Sequence, residues 1–191
     1  MIALGVDPTD PRSNGGVCGF AVIEFVTLNP VMGTRDFQQA RKLKVIGTLD
    51  RGRECDELCE VIDRHHVEAV AVEVALDLYQ DAAGKSVKAR RAITRALLGQ
   101  NLMAGELLRT ALLWLGREPG VAPRVKRIQS TDWHRVLGVH LRRNPVTGEL
   151  SETYDAAVRR SIRMWLRNWP AESTAHERDA AGVCLGAFIG P

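Results

Sequence analysis

Residues 68–76 read EAVAVEVAL. Small and branched apolar residues occupy both parities of this run. A strand of that kind has no face to give to water, so it lies inside a sheet with helices above and below. Glu73 interrupts it. A carboxylate in a buried strand is costly without a partner, so the fold must bring something to it.

The remaining segments supply such a sheet. IALGVD at 2–7 is a short buried strand ending in Asp7. PTDPRSNGG, with two prolines and two glycines, is a loop. CGFAVIEFV at 18–26 returns antiparallel to the first strand. NPVMGTRDFQQAR reads as a polar excursion, and KLKVIGTLD at 42–50 as a third strand. Residues 55–66 form an amphipathic helix with Cys55, Leu58, Cys59 and Ile62 on its core stripe. The 68–76 run is the fourth strand. A long helix spans about 88 to 115, and PRVKRIQS is a fifth strand. TDWHRVLG is a small helix capped by Ser130 or Thr131 and ending near Gly138. The next helix places Val158, Ile162, Trp165, Leu166 and Trp169 on one stripe, with Arg159, Arg160, Arg163 and Arg167 opposite, and Pro170 stops it. A last helix begins near His176. The expected fold is α/β: a five-stranded mixed sheet flanked by helices on both faces, in one domain over 1–191.

The N-terminus lacks the pattern of a secretory signal, and no run approaches a membrane span. The four cysteines follow neither a disulfide nor a zinc pattern. These features imply a reducing cytoplasm and no membrane partner. Net charge is only +3, but the cations are grouped. KSVKARRAITR (85–95) holds five cations and no acid; RVKR (124–127) and RRSIRMWLR (159–167) follow. Such blocks suit a phosphate backbone, although each is also compatible with a solvated helix face. AAGKS at 82–86 lacks the first glycine of a nucleotide-binding P-loop, since Tyr79 stands there.

Near the other end stands HERDAAGVCLGAF, residues 176–188. His176 and Asp179 are three apart and share a helix face, while Glu177 is rotated away. If the first and fourth strands are neighbours, Asp7 and Glu73 emerge at one sheet edge. A helix laid across the sheet then adds His176 and Asp179. Three carboxylates and an imidazole suit Mg²⁺, with Mn²⁺ as a substitute. Such ions support phosphodiester hydrolysis by a two-metal, in-line displacement. Ala180, Ala181, Gly182 and Gly186 are expected to let the helix backbone approach the sheet. Singly, each residue has a plainer reading: Asp7 as a turn residue, His176 as a cap, Asp179 as a dipole partner.

LGVDP…GFAVIE, AVAVE and HERDAAG, in that order, resemble the RuvC-type Holliday junction resolvases of the RNase H-like superfamily. LLGQNLMAGEL is similar to the family's long helix at Gly99-Gln100, and STDWHRVLG to a Trp-containing segment of phage-like members. The resemblance implies an RNase H-like fold and a homodimer that resolves four-way DNA junctions by paired symmetric nicks. It implies a bacterial cytoplasm, or a host cytoplasm if the chain is phage-encoded. By that match Asp7, Glu73, His176 and Asp179 are the catalytic metal ligands. Lys85, Lys88, Arg90, Arg91 and Arg95 contact DNA, Lys126 and Arg127 stand where the family places a lysine at the scissile phosphate, and Leu76 or Tyr79 is the apolar wedge. The same metal chemistry would also serve a nuclease of other branched or hybrid nucleic acids, and the same surface a junction-binding protein that does not cleave.

Overall fold

In a computed structural model, residues 1–9, 16–28, 37–75, 86–117, 119–141 and 149–189 are described. The fourth strand, β4 (Ala69–Glu73), is buried at every position. It pairs in parallel with β1 (Ile2–Asp7) on one side and β5 (Arg124–Ile128) on the other. β1 pairs antiparallel with β2 (Cys18–Leu28), and β2 with β3 (Phe37–Leu49). The order is β3-β2-β1-β4-β5, a five-stranded mixed sheet.

The two parities of the central strands differ in size, and this decides how closely each face is covered. Leu4, Val6, Val22, Val70 and Val72 point to one side. There they meet α1 (Glu54–His65) and α2 (Val87–Leu115) through Leu58, Ile62, Ala104 and Leu107. Ala3, Ala21, Ala69 and Ala71 point to the other side, toward α5 (Ala175–Phe188). That second layer is completed by α3 (Ser130–Leu137) and α4 (Tyr154–Trp165). Helices thus cover both faces of a mixed five-stranded sheet, as the sequence predicts.

The glycines that permit the close approach of α5 lie in the strands. A Cβ on Gly5 would stand 2.2 Å from the Ala180 carbonyl oxygen, and one on Gly19 2.2 Å from that of His176. Gly182 and Gly186, expected to serve this purpose, face α3 instead. A Cβ there would meet the Trp133 ring at 2.6 Å and the Trp133 Cβ at 2.3 Å, respectively.

Three further expectations are corrected. β3 begins at Phe37, so residues 37–41 of the expected polar excursion are strand. An edge strand tolerates polar residues, and two register irregularities in β2, at Val22/Ile23 and Glu24/Phe25, let the long pair twist. The small helix α3 has Gln129 as its N-cap residue, without a side-chain cap from Ser130 or Thr131. Finally, α4 ends at Trp165, well before Pro170, and Leu166 is extended. Asn168 explains the departure: its amide donates to the Leu43 carbonyl at 3.0 Å and accepts from the Leu43 N–H at 3.2 Å. The chain leaves the helix to satisfy the edge of β3, while Leu166 and Trp169 remain buried.

Candidate active site

Asp7 and Glu73 close their strands just beyond the paired residues Val6 and Val72. Both have the parity of the alanines, so both carboxylates face the layer that holds α5. That helix starts above them because Thr174 and Glu177 form a reciprocal cap. The Thr174 hydroxyl accepts from the Glu177 N–H at 3.2 Å, and the Glu177 carboxylate from the Thr174 N–H at 2.6 Å. Glu177 is thereby occupied with capping, and the His176–Asp179 face turns to the acids.

His176 Nδ1 lies 2.7 Å from an Asp7 carboxylate oxygen. That contact raises the His176 pKa, against the opposing effect of burial. Asp7 is also raised, because burial outweighs the stabilising hydrogen bond and charge of His176. Glu73 is pushed up to about 8 by burial and then by the negative charges of Asp7 and Asp179. Asp179 is pushed up to about 7 by burial and then by Asp7. Two buried carboxyls and a half-buried one therefore lie within each other's fields at one end of the sheet, the kind of arrangement that clusters at functional sites.

The residues present fit a hard divalent cation by the chemistry of their donors: oxygen-rich, mutually repelling and short of positive charge. Among the described residues no three His, Cys, Asp or Glu side chains are grouped closely enough to hold a metal ion between them. Asp7 is turned to His176, and Glu73 accepts a hydrogen bond from the Trp133 indole N–H at 3.3 Å.

Several residues that position the acids escaped sequence reasoning. Trp133 is completely buried and supplies Glu73 with its donor. Asn101 on α2 accepts from the Ala75 N–H at 2.9 Å and donates to the Ala75 carbonyl, clamping the chain just after Glu73. Arg178 is buried, bonds Asp155 at 2.7 Å and the Ser173 carbonyl, and so ties α4 to α5 beside Asp179. The alternation of small and large residues in IALGVD and AVAVE is the sequence signal that marks the α5 face.

The other sequence-derived residues fall in different places. Lys88, Arg90, Arg91 and Arg95 are exposed on the first turns of α2. Lys126 is not brought to the acids. Its ammonium bonds the Ala187 carbonyl at 2.8 Å and lies over the Phe188 ring, at the opposite end of α5. Arg127 is exposed on the same edge strand. Leu76, Tyr79 and Lys85 lie outside the described residues.

Strand order, mixed pairing and helices on both faces define an RNase H-like α/β fold. Within that class the chain is similar to the structure of Thermus thermophilus RuvC, with a TM-score of 0.56 at 17% identity, over 97% of this chain and 92% of the other. It is likewise similar to T. thermophilus RuvC in complex with Holliday junction substrate, with a TM-score of 0.55 at 19% identity, over 98% and 93% of the two chains. At such identities the likeness establishes a RuvC-like fold. No family model and no curated protein matches the chain.

Proposed function

We propose that this chain, as one nuclease domain, is a divalent-metal-dependent endodeoxyribonuclease that resolves four-way DNA junctions. The observation that carries the reading is the 2.7 Å contact of His176 with Asp7, with Glu73 and Asp179 close enough for their charges to be felt, beneath a helix seated on Gly5 and Gly19. The RuvC-like fold supports it, and one RuvC structure of that fold is a complex with a Holliday junction.

In this reading Asp7, Glu73, Asp179 and His176 hold Mg²⁺, for which Mn²⁺ substitutes. The bound ion supplies Lewis acidity toward a phosphodiester and favours hydroxide over water as nucleophile. The chain's own residues do the rest. Trp133 and Asn101 fix Glu73, the Arg178–Asp155 pair fixes the α5 backbone beside Asp179, and the Nδ1 contact of His176 orients the Asp7 carboxylate. Lys88, Arg90, Arg91 and Arg95 offer the phosphate backbone a sequence-independent attraction.

Paired nicks need two centres, hence two copies. α2 supports this with exposed Leu98, Leu102, Leu112 and Leu113 beside Gly105. Leu98, Leu102, Gly105 and Leu112 follow the spacing of a helix–helix seam in which Arg109 takes the remaining position, so α2 is the surface proposed for the second copy. Offering the protein a four-way junction, a flap, a plain duplex and an RNA–DNA hybrid tests the substrate. Cutting confined to the junction supports resolution, and cutting of the hybrid or flap instead removes the junction from the account.

A further inference from the structure

Two polar side chains beside the acids have no task in the account so far. His134 follows Trp133 on α3, and the Trp133 indole reaches Glu73. Tyr154 opens α4, and its neighbour Asp155 is 2.7 Å from Arg178, the residue before Asp179. His134 Nε2 and the Tyr154 hydroxyl are 2.6 Å apart, and their rings meet edge to face with centroids 5.4 Å apart. This hydrogen bond therefore ties α3, which carries Trp133, to α4, which carries Asp155.

Tyr154 is 41% exposed, and burial and then the charges of Asp179, Glu73 and Asp7 raise its pKa, so its ring lies at the rim of the cluster. Among the described residues its hydroxyl bonds His134 alone. Burial lowers the His134 pKa and favours the neutral imidazole. In the tautomer with its proton on Nε2 the imidazole donates to the phenol oxygen and leaves the O–H free to donate outward, whereas in the Nδ1–H tautomer the phenol donates to Nε2. A phosphodiester entering a group of carboxylates meets like charge. A neutral O–H at the rim attracts one of its oxygens without adding charge, and hydrogen bonds to charged oxygens are the stronger kind.

We propose that the Tyr154 hydroxyl, oriented by His134, binds a phosphodiester oxygen of the nucleic-acid strand that enters the acid cluster. The identity of the ligand rests on the nuclease reading; the placement of the donor does not. Tyr154 is the binding residue, and His134 acts through it as a positioning residue.

The test uses Tyr154→Phe, His134→Ala and His134→Gln in the full chain. Affinity for a labelled four-way junction is measured with Mg²⁺ in an Asp7→Asn background, and single-turnover cutting in the otherwise native chain. Tyr154→Phe keeps the ring and should weaken affinity about tenfold, the effect of removing one hydrogen bond to a charged oxygen. Cutting at sub-saturating junction should fall at least as far, with the unfolding midpoint unchanged. His134→Ala should reproduce the loss. His134→Gln, whose amide can donate to the phenol, should recover most of it. Unchanged affinity in Tyr154→Phe overturns the proposal even if the native chain cuts well. If the native chain cuts nothing but Tyr154→Phe still weakens binding, the phosphate site stands and the nuclease reading falls. If the native chain binds no nucleic acid, both fall.

Discussion

His176 Nδ1 and the Asp7 carboxylate lie 2.7 Å apart although 169 positions separate them in sequence. Their meeting depends on a missing side chain. Asp7 is paired across the sheet with Gly19, and the His176 backbone rests where a Cβ of residue 19 would stand. The first strand, the second strand and the last helix are thus fitted together at the point where the acids gather.

That fit predicts a large cost for Gly5→Ala. The new methyl would meet backbone, 2.2 Å from the Ala180 oxygen, which no rotamer change relieves. A loss of about 3 kcal/mol in urea unfolding is expected. A near-neutral result would show that α5 can lift off the sheet.

Trp133→Phe should separate packing from positioning. It shortens a fully buried ring and removes the donor to Glu73. A stability loss of about 2 kcal/mol is expected. Cutting at saturating metal should fall further than the change in folded fraction explains. Full cutting would mean that the indole N–H does nothing for Glu73.

The acids also predict how stability responds to pH and metal. Glu73 at about 8 and Asp179 at about 7 keep protons in the folded protein that the unfolded chain loses near pH 4. His176, raised by Asp7, acts in the same direction: its contribution is full below about pH 6.5 and disappears as pH rises through its folded value. The folded state therefore binds more protons, and metal-free stability falls as pH rises from about 4 to about 8. The unfolding midpoint in chelator should be higher near pH 5 than near pH 8. Mg²⁺ should raise it, most at the higher pH. Glu73→Gln should flatten the profile. A midpoint that rises with pH in chelator would contradict the assignment.

On α2, Leu102 is 64% exposed, one turn beyond the exposed Leu98. Leu102→Glu should convert a dimer to a monomer in analytical ultracentrifugation with the unfolding midpoint preserved. Nicks on the junction should then lose their pairing. An unchanged sedimentation profile would move the second copy to another surface.

Arg90→Ala with Arg91→Ala should weaken binding to all DNA alike. The slope of log affinity against log salt should shrink by up to about 0.9 for each phosphate that the variant no longer neutralises. An unchanged slope would place the duplex elsewhere.

The layers are legible in the sequence because apolar runs at 2–7 and 68–76 leave no face for water, and because a long helix over about 88 to 115 follows the second of them. The four candidate ligands are legible as residue types at strand and helix ends. What supports them is not. Nothing local in the sequence ties the Trp133 indole to Glu73 or the Asn101 amide to Ala75, contacts made across 60 and 26 positions. Asn168 ends a helix by bonding an edge strand 125 positions away, which local periodicity cannot register. Gly182 and Gly186 meet Trp133 rather than the sheet, since a small residue announces a close approach but not its partner. Lys126 shows the same limit: a cation that the family resemblance puts at the scissile phosphate bonds the Ala187 carbonyl at the far end of α5.

The most direct test is a nicking assay with Mg²⁺ and with chelator, comparing the native chain with Asp7→Asn. On a labelled four-way junction the native chain should make paired, symmetric nicks that vanish with chelator. Asp7→Asn should bind the junction with near-native affinity and leave it uncut. Normal cutting by Asp7→Asn, or cutting that persists in chelator, would contradict the assignment of these acids as the metal-dependent centre.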